Sequence, residues 1–299
     1  MVGEAKRITV VVLTHNRCGE LRRTLHKLQA LPERPTLIVV DNGSIDGTAT
    51  LVAKAFPGVQ LVRSPRNIGA AARNLGVERV CTPYVAFSDD DTWWAPGALE
   101  RAVSILERHP DIAVLNAQIL VGAQCRPDPA CDAMANSPLA AIPGAGPTLT
   151  GFMAGAAVMR TEAFRRAGGY SPLFFIGGEE ALLAIDILDS GRHIVYSEHV
   201  HVHHWPSKMR DTSLRRRLLT RNAIWTAWLR LPCHLAARRS RHVLRALPTF
   251  CQRLRACVDT LSGLTWLLRT RRVAKPATIA LLIRVWCHEC GRARHSRRA

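Results

Sequence analysis

The sequence predicts an α/β fold, a mostly parallel central sheet flanked by helices, followed by a basic helical C-terminal extension. Five short runs rich in Val, Ile and Leu, at Arg7–Leu13, Thr36–Val40, Val59–Val62, Tyr84–Ser88 and Ile112–Asn116, are separated by longer stretches of helical periodicity. Continuous apolar strands alternating with helices are the pattern of a parallel sheet covered on both faces. The second observation is the distribution of charge. Residues 1–207 hold 19 Lys and Arg against 20 Asp and Glu, net −1, whereas 208–299 hold 22 against 3, net +19. A near-neutral body thus precedes a strongly basic tail, which argues for an anionic partner surface and says nothing about the body's fold.

The chain has 299 residues, 47% of them apolar, enough for one or two globular domains. Leu21, Leu25 and Leu28 put one apolar stripe on the first helix, and Leu99, Val103 and Leu106 do the same on a later one; both stripes face the core. "DNGSIDGT" supplies turn residues and an N-cap candidate, Asp46, for a helix after the second strand. From residue 117 to about 150, Pro, Gly and Ala dominate and loop is expected. The uncharged run between Asp132 and Arg160 is long enough to span a bilayer, but Pro138, Pro143 and Pro147 interrupt it, so it too reads as loop. After Asp211, Leu214, Leu218, Ile224, Trp225 and Trp228 with arginines between them form a basic amphipathic helix. Further Arg-dotted helices follow, and the terminal "GRARHSRRA" is expected to be disordered.

The start of the sequence offers about six apolar residues in a row from Ile8, fewer than the ~7–15 of a signal-peptide core, so a cytoplasmic location is expected. Nine cysteines, an odd number, suit reduced thiols. Cys287 and Cys290 form a single C-x-x-C without the second ligand pair that structural zinc wants.

Two acidic clusters stand at predicted strand ends: Asp41 closes "LIVVD", and Asp89, Asp90 and Asp91 close "YVAFSDDD". Ligands of open parallel sheets bind outside the carboxyl ends of the strands, so these groups are expected to converge on one crevice. Three consecutive carboxylates repel one another unless a cation neutralises them, and a divalent ion there would hold a diphosphate. The plain alternative is a solvated acidic turn. His199, His201 and His203 alternate like one face of a strand, with His204 on the other. Of Trp93 and Trp94, one is expected in the core and one on an acceptor wall. "GFMAGAAVMR" is either a segment closely approached by a ligand or a glycine-containing strand packed on a helix.

"VVVLTHNR", "IVVDNGSIDGT", "RNIGAAARNLGV" and "VAFSDDDTWW", in that order and spacing, resemble the family 2 glycosyltransferases of GT-A fold. "GGYSPLFFIGGEEALLAIDILDSG" and "HVHHWPS" resemble the acceptor-side half of the same family, so the likeness covers roughly residues 7–210, and "RRRLLTRNAIWTAW" is similar to a subgroup. The resemblance implies a GT-A catalytic domain over 1–211, with a nucleotide-binding half 1–116 and an acceptor-binding half 117–211, and a helical region 212–299. It implies that Thr14, His15, Asn16 and Arg17 contact the nucleotide and that Asp41 binds base or ribose. Asn67, Gly69 and Arg73 would close over the nucleotide, with Asp90 beside it. Asp89 and Asp91 match the D-x-D signature and, with His203, are the implied metal ligands, Asp89 being shared with the ribose. Glu180 matches the catalytic base, with Glu179 as the alternative.

These assignments imply an inverting hexosyl- or deoxyhexosyltransferase assisted by Mg²⁺ or Mn²⁺. It would move sugar from a nucleoside diphosphate sugar to an acceptor hydroxyl on a glycan, a lipid-linked sugar or a small molecule, for instance in a cell-envelope glycan. A carboxylate takes the hydroxyl proton, and no nucleophile is needed for a single displacement. Two alternatives stand beside it. A sugar-1-phosphate nucleotidyltransferase would begin with a glycine-rich basic loop, which "VVVLTHNR" lacks. A non-enzymatic binding module is suggested by the tail, whose Trp225, Trp228, Trp266 and Trp286 sit among arginines. The tail is expected to attach peripherally to an anionic membrane, on the inner face of the plasma membrane, or else to pack as helices on the body; nucleic acid is not the expected partner.

Overall fold

The computed structural model describes residues 6–206 and 212–295. The first half runs β1 (Ile8–Thr14), α1 (Cys18–Gln29), β2 (Thr36–Asn42), α2 (Thr48–Ala55), β3 (Gln60–Ser64), α3 (Ala72–Val77), β4 (Tyr84–Asp89), β5 (Thr92–Trp94), α4 (Ala98–Arg108) and β6 (Ile112–Val121). Next come β7 (Arg126–Pro127), α5 (Pro129–Ala135), a small hairpin of β8 (Ala141–Ile142) and β9 (Gly146–Pro147), β10 (Ala157–Arg160), α6 (Thr161–Arg166), α7 (Glu179–Asp189) and β11 (His193–His204). Five helices complete the chain: α8 (Thr212–Arg230), α9 (Cys233–Arg245), α10 (Phe250–Leu261), α11 (Leu264–Thr270) and α12 (Pro276–His295).

The main sheet has the order β3-β2-β1-β4-β10-β6-β11-β5, with β7 on β6. The first four of the five apolar runs form its contiguous parallel part, β3-β2-β1-β4. β1, β2 and β4 are buried on both faces, as unbroken Val/Ile/Leu runs require, while the edge strand β3 is half-exposed. The fifth run, β6, is separated from β4 by β10, which is antiparallel to both. β6 also continues to Val121, beyond the expected end at Asn116. Asn116 can sit inside a buried strand because its Oδ1 accepts from Met153 N at 2.7 Å and its Nδ2 donates to Ala117 O at 2.9 Å. The apolar stripes fall as expected: Leu21, Leu25 and Leu28 on α1 and Leu99, Val103 and Leu106 on α4 are all buried. Asp46 stands two positions before the start of α2, one before the N-cap residue Gly47, accepting from Thr48 N, and also accepts from Cys18 N at the start of α1. Against the burial that raises it, bonds from the Thr48 hydroxyl and Cys18 N hold its carboxyl below the ordinary value.

The basic C-terminal helices pack on the sheet domain through α7. Ile185 clusters with Ala227, Leu231 and Leu282, and Phe174 and Leu182 with Trp225, Leu229 and Leu267. Arg230 grips Asp186 with two bonds of 2.6 and 2.8 Å, and Arg272 joins the same carboxylate at 2.8 Å. Asp189 accepts from Lys275 N and the Thr278 hydroxyl. Part of the tail's positive charge is therefore answered by α7 rather than by an external anion. Gly291–His295 continue α12, where disorder was expected, while 296–299 and the expected boundary at 211 lie outside the described residues. No helix among the described residues is long and apolar enough to cross a membrane.

Candidate functional site

The register of the parallel strands decides where the acidic groups meet. Thr14 of β1 pairs with Asp41 of β2, and Leu13 with Asp89 of β4. Asp41 and Asp89 therefore end strands on either side of β1, about 10 Å apart at two strand spacings. Asp41 is buried, its Oδ1 accepting from Ser44 N at 2.9 Å and its Oδ2 from Arg63 Nε at 3.0 Å.

The acidic turn is neutralised by side chains of the chain itself. Buried Arg73 pairs through Nη2 with Asp89, and Arg17 donates from Nη1 to Asp90 at 3.0 Å and lies 3.8 Å from Asp91. The repulsion that suggested a metal is thus largely met by two guanidiniums. Burial pushes the Asp90 carboxyl up to about 7 even against the opposing charge of Arg17, with Asp91 and Asp89 adding to the rise.

His204, rather than His203, reaches this cluster. A bulge between Ser197 and His201 takes His199 out of the ladder with β6. Beyond it His203 turns to the opposite face from His204, stacks on Trp93 at 5.7 Å and lies 3.8 Å from the Cys125 sulfur. His204 Nε2 stands 3.7 Å from Asp91 Oδ2. The metal set Asp89, Asp91 and His203 is not brought together, and no group of three His, Cys, Asp or Glu able to hold an ion occurs among the described residues. Asp91 and His204 offer one hard oxygen and one imidazole nitrogen at a spacing that two positions of a divalent ion's shell accept. The other positions would fall to phosphate oxygens and water, the usual arrangement for Mg²⁺.

The nucleotide-side residues are wired to one another. Asn16, at φ 52°, accepts on its Oδ1 from Ile45 N at 2.9 Å, while its own N–H donates to the Ser44 hydroxyl. Asn67 Oδ1 accepts from Gly69 N and from Asn42 Nδ2, both at 2.9 Å. Asn42, which sequence reasoning did not single out, also donates to Gly69 O, accepts from Ile68 N and offers its carbonyl to His15 Nδ1. Its position one residue after Asp41 at a strand end was the available signal. Thr14 Oγ1 is buried without a hydrogen-bond partner among the described residues, an orphaned polar atom at the mouth of the crevice.

Glu179 and Glu180 open α7 and enter the crevice from the other side. Gly177 and Gly178, at φ 87° and 80°, turn the chain into that helix, and Phe175 is also left-handed at φ 62°. The turn is held from two directions. Ala70 N donates to Phe175 O at 2.6 Å, while buried Asn222 of α8 donates to Phe174 O at 2.9 Å and Gly177 O at 2.7 Å. Burial raises both carboxyls, Glu179 to about 7 with the Glu180 charge adding to it; Arg73 pulls both back and Asp89 pushes Glu180 further up. The Ala154 backbone N–H also draws the Glu180 carboxyl down, and Glu179 Oε2 is buried without a hydrogen-bond partner among the described residues. Arg73 thus pairs with Asp89 and lies within electrostatic range of both glutamates. Gly155 lies against Asp89: a Cβ there would meet Oδ2 at 2.9 Å, whereas Gly151 has open space. Trp94 is core, and Trp93 lines a surface cavity with His203.

Relatives and solved structures agree with this architecture. The chain is 26% identical over 234 residues to the pre-mycofactocin glycosyltransferase of Mycobacterium tuberculosis, 70% of this chain and 45% of that protein. It is 26% identical over 121 residues to that organism's N-acetylglucosaminyl-diphospho-decaprenol L-rhamnosyltransferase, 36% of this chain and 39% of that protein. It therefore spans less than half the length of these two relatives. The fold is that of a Pyrobaculum calidifontis mannosyltransferase solved with GDP-Man and Mn²⁺, at TM-score 0.59 and 18% identity over 94% of this chain and 79% of that one. It is equally that of S. aureus TarS solved with UDP-GlcNAc, at TM-score 0.64 and 14% identity over 89% and 82%. The model of glycosyl transferase family 2 matches residues 9–167, from β1 to the end of α6. The α/β sheet, the strand-end carboxylates and this match together make the chain a member of glycosyl transferase family 2.

Proposed function

We propose that the chain is an inverting glycosyltransferase that moves a sugar from a nucleoside diphosphate sugar to an acceptor hydroxyl, with Glu180 as general base. The observation that carries this is that one guanidinium, Arg73, pairs with Asp89 at a strand end and is in electrostatic range of Glu180 at the start of α7, across the crevice. Donor and acceptor would meet across that gap. A carboxylate with a raised pKa is matched to taking a proton from a hydroxyl near neutral pH. Asp41, with Thr14 and the Asn16 loop, would receive the nucleoside, Gly155 would let the donor sugar approach Asp89, and Arg73 would offset the charge of the diphosphate. Asp91 and His204 would hold Mg²⁺ or Mn²⁺, which when bound stabilises negative charge on the leaving diphosphate.

The solved mannosyltransferase and TarS hold GDP-Man and UDP-GlcNAc, and the rhamnosyltransferase is named for a lipid-linked acceptor; these names support a nucleotide-sugar donor and leave the base and sugar open. A nucleotidyltransferase is disfavoured because Asn16 in the loop after β1 is tied to Ser44 and Ile45, its N–H donating to the Ser44 hydroxyl instead of standing free for a phosphate. Nucleoside diphosphate release from a panel of UDP-, GDP- and dTDP-sugars tests the proposal. Release should stop with a chelator, return with Mn²⁺ or Mg²⁺, and be lost in Asp91→Asn; the absence of release from every donor would refute it.

The C-terminal helices are read as a membrane-facing surface. Phe250, Leu254, Val258 and Leu261 share one face of α10, continue in Leu264 and Leu268 of α11, and are each at least 46% exposed. Exposed Arg253, Arg255 and Arg269 flank them, and an apolar row edged with arginine complements an acidic bilayer, each cation adding roughly 1 kcal/mol. Leu254→Asp with Val258→Asp should weaken flotation with phosphatidylglycerol vesicles at least about tenfold. Equal flotation of the variant and the parent would refute it.

A further inference from the structure

A cavity of about 600 Å³ lies between the sheet domain and the C-terminal helices, outside the donor crevice. Phe152 and Met153 wall it on one side, Ala181 and Ile185 of α7 on another, and Thr226 of α8 and Trp286 of α12 close it. It shares a wall with the proposed base: Ala181 follows Glu180, and Met153 precedes Ala154, whose backbone N–H acts on the Glu180 carboxyl. Its lining is predominantly apolar, so the hydroxyls of a glycan would find few partners there. The size is that of pockets for drug-sized ligands. Arg239, His288 and Glu289 also border the cavity, with Ser137 and Thr150; the buried polar atom on its wall that is left without a hydrogen-bond partner among the described residues is Thr226 Oγ1, the residue being 7% exposed. A buried hydroxyl without a partner is costly unless a ligand supplies one.

Resting on the reading of Glu180 as base, we infer that the acceptor is an alcohol or phenol whose hydroxyl is carried on an apolar aglycone. The aglycone occupies this cavity, with a polar atom at Thr226, while the hydroxyl meets Glu180. The same chemistry could come from a small aromatic molecule or from the chain of a lipid.

Calorimetric binding of 2-naphthol, n-dodecanol and methyl α-mannoside, with UDP and GDP titrated separately, tests this on the full chain. At least one apolar alcohol should bind and the mannoside should not; tighter 2-naphthol points to a small aromatic, tighter n-dodecanol to a lipid chain. Ala227→Phe, which fills the cavity, should abolish binding of the alcohol. Thr226→Val, which keeps the shape should the larger residue misfold, should weaken it about fivefold. Nucleotide binding should be unchanged in both. Failure of the wild type to bind either alcohol, undiminished binding in Thr226→Val, or mannoside binding that Ala227→Phe removes, overturns the inference. Absence of nucleotide binding in the wild type would instead overturn the function on which it rests.

Discussion

Arg73 and Asp89 form an ion pair across the floor of the crevice, with the arginine buried and the aspartate at the end of β4. The guanidinium also acts electrostatically on Glu179 and Glu180 and lies over the Tyr170 ring at 5.8 Å. Arg73→Leu would leave Asp89 and the two glutamates without their shared cation. It should cost on the order of 1–3 kcal/mol in urea unfolding and weaken nucleotide binding. An unchanged midpoint would show that the pair is incidental.

Gly69 is left-handed at φ 68°, and a Cβ on it would overlap the Phe175 carbonyl. That contact joins the donor-side loop to the turn that delivers Glu180. Gly69→Ala must move one loop or the other, so it should lower stability by about 1–2 kcal/mol and slow transfer. Wild-type melting and activity in the variant would contradict the contact.

Asn222 reaches from α8 to the carbonyls of Phe174 and Gly177. Asn222→Ala removes the donor to the Gly177 carbonyl at a buried turn, while Phe174 O keeps Ile176 N and Arg221, for a loss of about 1–3 kcal/mol. The basic C-terminal region is then a positioning element for the site. Removing residues 212–299 should yield a poorly folded protein rather than an independent catalytic domain. A truncated chain with cooperative unfolding and full activity would refute this.

The glutamate pair predicts a pH dependence of stability. Burial raises the Glu179 carboxyl from 4.5 to about 7 in the folded chain. The folded state then holds the proton more tightly than the unfolded one, so this contribution is fully present below about pH 4.5 and is lost as pH rises through about 7. Glu179→Gln mimics the neutral form. Its melting temperature relative to wild type should climb between pH 5 and pH 8, corresponding to on the order of 1–3 kcal/mol. A pH-independent difference would contradict the raised pKa.

Much of this architecture was legible in the sequence because the signals are local. Unbroken Val and Ile runs gave β1 to β4, and an Asp closing two of them placed both acidic clusters at strand ends. What escaped depends on distant partners. β10 is four residues long, and its place between β4 and β6 is set by pairing rather than composition. The bulge at 198–200 selects His204 over His203, and strand alternation alone carries no sign of a bulge. The arginines that neutralise the acidic turn come from 16 and 73 positions away in sequence. The charge of the tail read as a surface property, yet Arg230 and Arg272 spend theirs on Asp186.

Glu180→Gln gives the most direct test. Nucleotide binding and sugar transfer should be measured side by side on this variant and the wild type, once the panel has identified a donor. The variant should keep the donor nucleotide at wild-type affinity while transfer falls by about 10²–10⁴. Transfer at the wild-type rate would contradict the assignment of the base and with it the geometry proposed for the reaction.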